Sequence, residues 1–134
     1  MKDIKFILVD DDFHNNNICK LYIKYGLPSV EVVCFTFPEL GLEYLEHSFF
    51  TSNKTFAILL LDINMPQMTG WDFLEKYALL NTEIRNQITI YILSSSVDEL
   101  DKKKAEQNQI VKGYFQKPLE IEDIKRIYNE NMVQ

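Results

Sequence analysis

Four polar clusters interrupt the apolar pattern, each at the end of a hydrophobic run: Asp10-Asp11-Asp12, Asp62, Ser94-Ser95-Ser96 and Lys117-Pro118. Carboxylates brought close together repel, and some take up protons unless a cation sits among them. Oxygen ligands without His or Cys suit a hard ion. Magnesium suits them best, because it is held by one or two carboxylates and keeps waters that a phosphate can displace. Asp10, Asp11 and Asp62 carry three negative charges, which one divalent ion and the Lys117 ammonium balance. A phosphoryl group adds roughly −1.5 to −2 more, and the Ser94 hydroxyl is able to donate to one of its oxygens. Phosphoryl transfer asks a protein chiefly for positioning and charge neutralisation. These residues supply both.

Each residue also has a plainer reading. Asp and Ser after strands start turns or cap helices, and Asp12 is expected to N-cap the first helix. Lys117, between an apolar strand and a proline, is poorly explained by packing. Its bond to Pro118 is of the one type that is readily cis, and a cis bond would aim Lys117 inward. His14 and His47 stand alone and read as surface residues, and Lys102-Lys103-Lys104 as the solvated face of a helix. Cys19 and Cys34 show no CxxC or zinc spacing and read as buried thiols in a reducing compartment.

The elements that must position these residues follow from periodicity. Ile4–Val9, Val30–Phe35, Phe56–Leu61, Ile88–Leu93 and Ile110–Phe115 read as strands. Between and after them, helical spacing covers Asn15–Tyr25, Pro38 to about Phe49, Trp71 to about Leu80, Val97 to about Asn108, and Ile121–Asn131. In the first helix, Ile18, Leu21, Tyr22 and Tyr25 form the apolar stripe, and Gly26 stops it. Alternating strands and helices call for a parallel sheet covered on both faces. The expected fold is α/β and flavodoxin-like, a (βα)5 three-layer sandwich with strand order 2-1-3-4-5. Ligands bind such sheets beyond the carboxyl ends of the strands, where the order reverses. The four polar clusters lie at those ends, and Asp10, Asp11 and Asp62 fall on neighbouring strands.

The 134 residues suit one domain, residues 1–134, and a net charge of −6 argues against a nucleic-acid or membrane-surface binder. Neither a signal peptide nor a bilayer-length apolar stretch is apparent, so a cytoplasmic location is expected.

Asp62-Ile63-Asn64-Met65-Pro66-Gln67-Met68-Thr69-Gly70 resembles the D-x-x-M-P-x-M-x-G segment of the response-regulator receiver domains of two-component systems, with Pro66 and Gly70 at the structural positions. Ile7-Leu8-Val9-Asp10-Asp11 resembles their acidic pair, Ser94-Ser95 their Thr/Ser and small residue, and Lys117-Pro118 their lysine–proline pair. Tyr114 falls on the aromatic switch position. The resemblance runs from Lys5 to about Ile127. It implies that Asp62 is the phosphoacceptor, and that Asp10, Asp11, Asp62 and the backbone carbonyl of Asn64 hold Mg2+. It further implies that Ser94 and Lys117 contact the phosphoryl oxygens, and that Ser94 and Tyr114 switch a face built from the fourth long helix, the fifth strand and the last helix. Ser94 lacks the methyl of Thr, which predicts looser coupling to Tyr114. Asn64 and Ser96, two residues beyond Asp62 and Ser94, are expected to border the path of hydrolytic water and so set phosphate lifetime. A sensor histidine kinase or histidine phosphotransfer protein would donate, and a separate, unspecified protein would read the signal. The last helix uses nearly all of the residues after Lys117, so no output domain is expected.

Two other readings compete. Asp10-Asp11-Asp12 also spells the DxD of haloacid-dehalogenase-type phosphatases, with Ser94 and Lys117 as further motifs. Against it, His14 stands where that family prefers Thr or Val, no acidic pair follows Lys117, and the Asp62 loop is left unexplained. The other reading is a binding module that docks without phosphate.

Overall fold

A computed structural model of the chain describes residues 3–49, 55–95 and 98–133. The elements run β1 (Asp3–Val9), α1 (Phe13–Gly26), β2 (Glu31–Phe35), α2 (Pro38–His47), β3 (Thr55–Asp62) and α3 (Gly70–Tyr77). The second half adds α4 (Thr82–Arg85), β4 (Ile88–Ser94), α5 (Glu99–Gln107), β5 (Val111–Gln116) and α6 (Ile121–Met132). All strands are parallel and ordered β2-β1-β3-β4-β5, the flavodoxin-like order expected from the sequence.

β3 is buried at nearly every position because both of its faces are covered, and its sequence is accordingly apolar without alternation. On one face Val9, Leu59, Leu61 and Ile92 pack with Leu45 of α2 and with Phe73, Leu74 and Tyr77 of α3. On the other, Phe6, Leu8, Leu60 and Tyr91 meet Ile23 of α1 and Ile124 and Ile127 of α6. Each such side chain stabilises the fold by about 1.5–3 kcal/mol.

The apolar stripe expected to bury α1 points the wrong way. Ile18, Leu21 and Tyr25 are 46%, 68% and 78% exposed, whereas Asn16 and Ile23 are buried. The cause is a polar anchor. The Asn16 amide donates to the carbonyls of Asp10 at 3.0 Å and of Phe35 at 3.2 Å, tying α1 to the ends of β1 and β2. With Asn16 turned inward, Cys19 and Ile23 follow at helical spacing, and the stripe faces out.

Residues 81–87 show no periodic pattern that predicts an element, yet α4 forms a single turn there. The Asn81 side chain accepts from the Glu83 N–H at 2.8 Å and Ile84 is buried. A turn this short carries no periodic signal. The extra turn makes the face expected to switch α5, β5 and α6. Val97, the predicted start of α5, lies outside the described residues, as does Ser96.

Candidate functional site

β1 and β3 run side by side with Val9 opposite Leu61, so Asp10 and Asp62 emerge together at the carboxyl end of the sheet. The N–H of Asp10 donates to the Phe35 carbonyl at 3.1 Å, and its Oδ1 accepts from the Asp12 N–H at 2.9 Å. Asp12 is turned away as the N-cap of α1, its carboxylate accepting from His14 N–H at 2.8 Å. That is the role expected of it. Asp10, Asp11 and Asp62 are left facing one another, each with an oxygen within 4.8 Å of the others.

Lys117 crosses the cleft from the end of β5. Its Nζ lies 2.5 Å from Asp10 Oδ2 and 3.2 Å from Asp62 Oδ1. The lysine is held by its own backbone, the N–H donating to the Ser94 carbonyl at 2.8 Å, and the Lys117–Pro118 bond is cis. Burial pulls its ammonium down, but Asp10 and Asp62 outweigh burial and raise its pKa. Burial pushes the Asp62 carboxyl up to about 6; Lys117 opposes the rise, and Asp10 and Asp11 add to it. At Asp62 the ammonium thus offsets burial only in part.

The donor set fits a hard divalent cation. Three carboxylates and one ammonium leave two negative charges, and nitrogen ligands are absent from this group among the described residues. Cys19 lines the adjoining cavity, but burial raises its thiol to about 12, so it offers no thiolate. Cys34 is likewise raised by burial. That cavity, of about 370 Å3, reaches from Asp10, Asp62 and Lys117 to the apolar residues Leu8, Leu60 and Leu119.

The loop after Asp62 is pinned by Gly70. A Cβ there would lie 2.7 Å from the Asp62 carbonyl oxygen and 2.9 Å from Ile63 Cα, and its N–H donates to the Ile63 carbonyl at 2.8 Å. Met65 and Met68 are buried beneath the loop, while Asn64 and Pro66 are exposed. α3 then starts with a reciprocal capping box, Thr69 accepting from the Asp72 N–H and Asp72 from the Thr69 N–H.

Ser94 ends β4 beside β3, where Asp62 is opposite Leu93, and it is fully buried. Tyr114 is opposite Ile92, so the alternation of strands puts its ring on the same sheet face as Ser94. The ring is half-buried and packs against the core on the α3 side. His14 and His47 are exposed, as expected. Lys102, Lys103 and Lys104 are all exposed, as expected, and Lys104 also lies with its Nζ 4.8 Å from the centre of the Trp71 ring. Asn16 and this Lys104 contact escaped the sequence reading. A lone Asn on an amphipathic helix gives no sign of facing inward, and residues 71 and 104 are too far apart for any local pattern.

The family model of the response regulator receiver domain matches residues 6–129. A two-component response regulator from Cytophaga hutchinsonii superimposes with a TM-score of 0.88 at 26% identity, covering 100% of both chains. A response regulator receiver protein from Dyadobacter fermentans gives 0.85 at 25% identity, covering 95% of this chain and 96% of that one. The Vibrio cholerae chemotaxis protein CheY4 shares the fold, with a TM-score of 0.73 at 18% identity over 95% and 97%. Comparison with curated protein sequences gave no match. The family match runs from within β1 through β5 and contains the acidic cleft, the Asp62–Gly70 loop and the Lys117–Pro118 bond: this chain belongs to the response regulator receiver domains of two-component signalling.

Proposed function

We propose that Asp62 accepts a phosphoryl group from a phosphohistidine, and that the protein is a signalling phosphoacceptor whose only chemistry is its own phosphorylation and dephosphorylation. The observation that carries this reading is the Lys117 ammonium held between Asp10 and Asp62 beside a third acid, Asp11. An Asp62 Oδ attacks phosphorus, the bond from phosphorus to the donor's imidazole nitrogen breaks, and the nitrogen leaves with that electron pair. Lys117 then exchanges a carboxylate partner for a phosphoryl oxygen, and the Ser94 hydroxyl donates to another. Asp10, Asp11, Asp62 and the Asn64 carbonyl would hold Mg2+, which when bound supplies the charge neutralisation that one lysine cannot. Exposed Asn64 borders the route for hydrolytic water.

The donor would be a sensor histidine kinase or a histidine phosphotransfer protein, in the cytoplasm, and a further protein would read the α5–β5–α6 face. No helix among the described residues is long and apolar enough to cross a membrane.

Acetyl phosphate with magnesium should add one acid-stable, base-labile phosphoryl group, located at Asp62 by mass spectrometry. Asp62→Asn and metal chelation should each abolish it. Undiminished labelling of Asp62→Asn would rule out the assignment, and a phosphate on Asp10 would restore the dehalogenase reading. Absence of labelling in the wild type would favour a module that docks without phosphate.

A further inference from the structure

The helix that carries the switching face is thinly attached. α5 buries one residue, Ala105, and exposes Leu100 to solvent. All of its charged residues except half-buried Asp101 are exposed, yet Asp101 and exposed Lys104 meet the same side chain. The Trp71 indole N–H donates to Asp101 Oδ1 at 3.3 Å, and Lys104 Nζ sits 4.8 Å from the centre of the ring. Asp101 and Lys104 are three residues apart on α5, so they share a face and grip the indole from its edge and from above. Trp71 is itself half-buried against the core on the α3 side.

Trp71 also follows Gly70 directly. Gly70 is locked to the acceptor by its N–H bond to the Ile63 carbonyl and by a separation from the Asp62 backbone that admits no Cβ. A covalent step therefore joins the backbone of the acceptor loop to the one indole of the chain, and the indole holds α5.

We infer that Trp71 is a positioning residue that latches α5 to α3 in the unphosphorylated protein, and that phosphorylation of Asp62 must release or rearrange this latch. The inference rests on Asp62 being the acceptor. Ser94 and the start of α5 are separated by four residues, so drawing Ser94 toward a phosphoryl group pulls on the helix from that end, while the indole resists. By linkage, a contact made only in the resting state opposes whatever favours the other state. Removing the latch should tighten the binding of a phosphate mimic. A side chain that merely stabilises the fold would leave that affinity unchanged.

The test uses the whole chain with magnesium and beryllofluoride. Trp71 is the only tryptophan, so wild-type fluorescence should change on addition of the mimic, with the same half-saturation as binding measured by calorimetry. The double variant Asp101→Ala, Lys104→Ala removes both the acceptor and the cation from the indole, alters only the α5 side and leaves the acceptor cleft intact. It should bind beryllofluoride about five-fold more tightly, with unchanged affinity for magnesium alone. Trp71→Phe, which keeps a ring but loses the N–H, should fall between the two. Wild-type affinity in the double variant, or indole fluorescence indifferent to bound mimic, would overturn the latch while leaving Asp62 labelling by acetyl phosphate as evidence for the acceptor. If the wild type neither labels nor binds the mimic, the acceptor reading fails first and the latch with it.

Discussion

Asp62 sits in the cleft at an energetic disadvantage. Its folded pKa of about 6 lies above the ordinary 3.8 because burial disfavours the charged form and Asp10 and Asp11 repel it, Lys117 offsetting only part. The unfolded chain has no such penalty. Above pH 6 both states are ionised and the fold bears the whole cost; between pH 6 and 4 the folded state takes up its proton first and the cost fades; below that it is gone. Without divalent metal, Asp62→Asn should therefore stabilise the protein by up to about 3 kcal/mol at pH 8. The gain should vanish near pH 4, as thermal unfolding across that range would reveal. A variant less stable than wild type at pH 8 would mean that the Lys117 contact outweighs burial. Gly70 acts at the same scale through space rather than charge. A methyl added there meets backbone, not a flexible side chain, so Gly70→Ala should cost about 1–3 kcal/mol and slow labelling of Asp62 by acetyl phosphate. Normal stability together with normal labelling would show that the loop has room to move.

Among the elements, α1 shows how far the sequence could be read and where it misled. The carboxyl-end placement of Asp10, Asp62, Ser94 and Lys117 was legible because strand ends follow from apolar runs, and parallel sheets collect their ends on one side. The rotation of α1 was not, since four apolar residues at helical spacing outvoted one asparagine. Two hydrogen bonds from Asn16 decide the matter instead, because its buried side-chain amide would be costly to leave without acceptors. The two orientations predict opposite mutational effects. Ile23→Ala should cost about 2–4 kcal/mol in chemical denaturation, whereas Leu21→Ala should stay within about 0.5 kcal/mol of wild type. The reverse pattern would restore the orientation read from periodicity. α4 and the grip of α5 on Trp71 were invisible for a different reason, one being too short to show a period and the other formed between residues distant in the chain.

Across the molecule, the link from cleft to surface is expected to run through β4 and β5. Tyr114 shares the sheet face of Ser94 and packs half-buried against the core, so a shift of the serine opens space for the ring. Reversing a 1:99 equilibrium by this route needs about 5.5 kcal/mol of preference for one state. Tyr114→Ala should leave Asp62 labelling nearly intact while confining beryllofluoride-induced amide shifts to the cleft. Shifts that still spread over α5 and α6 as in the wild type would remove Tyr114 from the route. The bond that closes the cleft has a separate consequence. Lys117 and Asp10 are 107 positions apart, and their strands meet only through β3 and β4. A nascent or partly assembled chain that has formed β1 and β3 brings its acids together with no ammonium between them, and so lacks the machinery to stabilise a phosphoryl group. Contacts of such long sequence separation form late and slowly. If Asp62 accepts phosphate as proposed, competence to be labelled would double as a report that the last strand has docked, and half-made protein would stay silent.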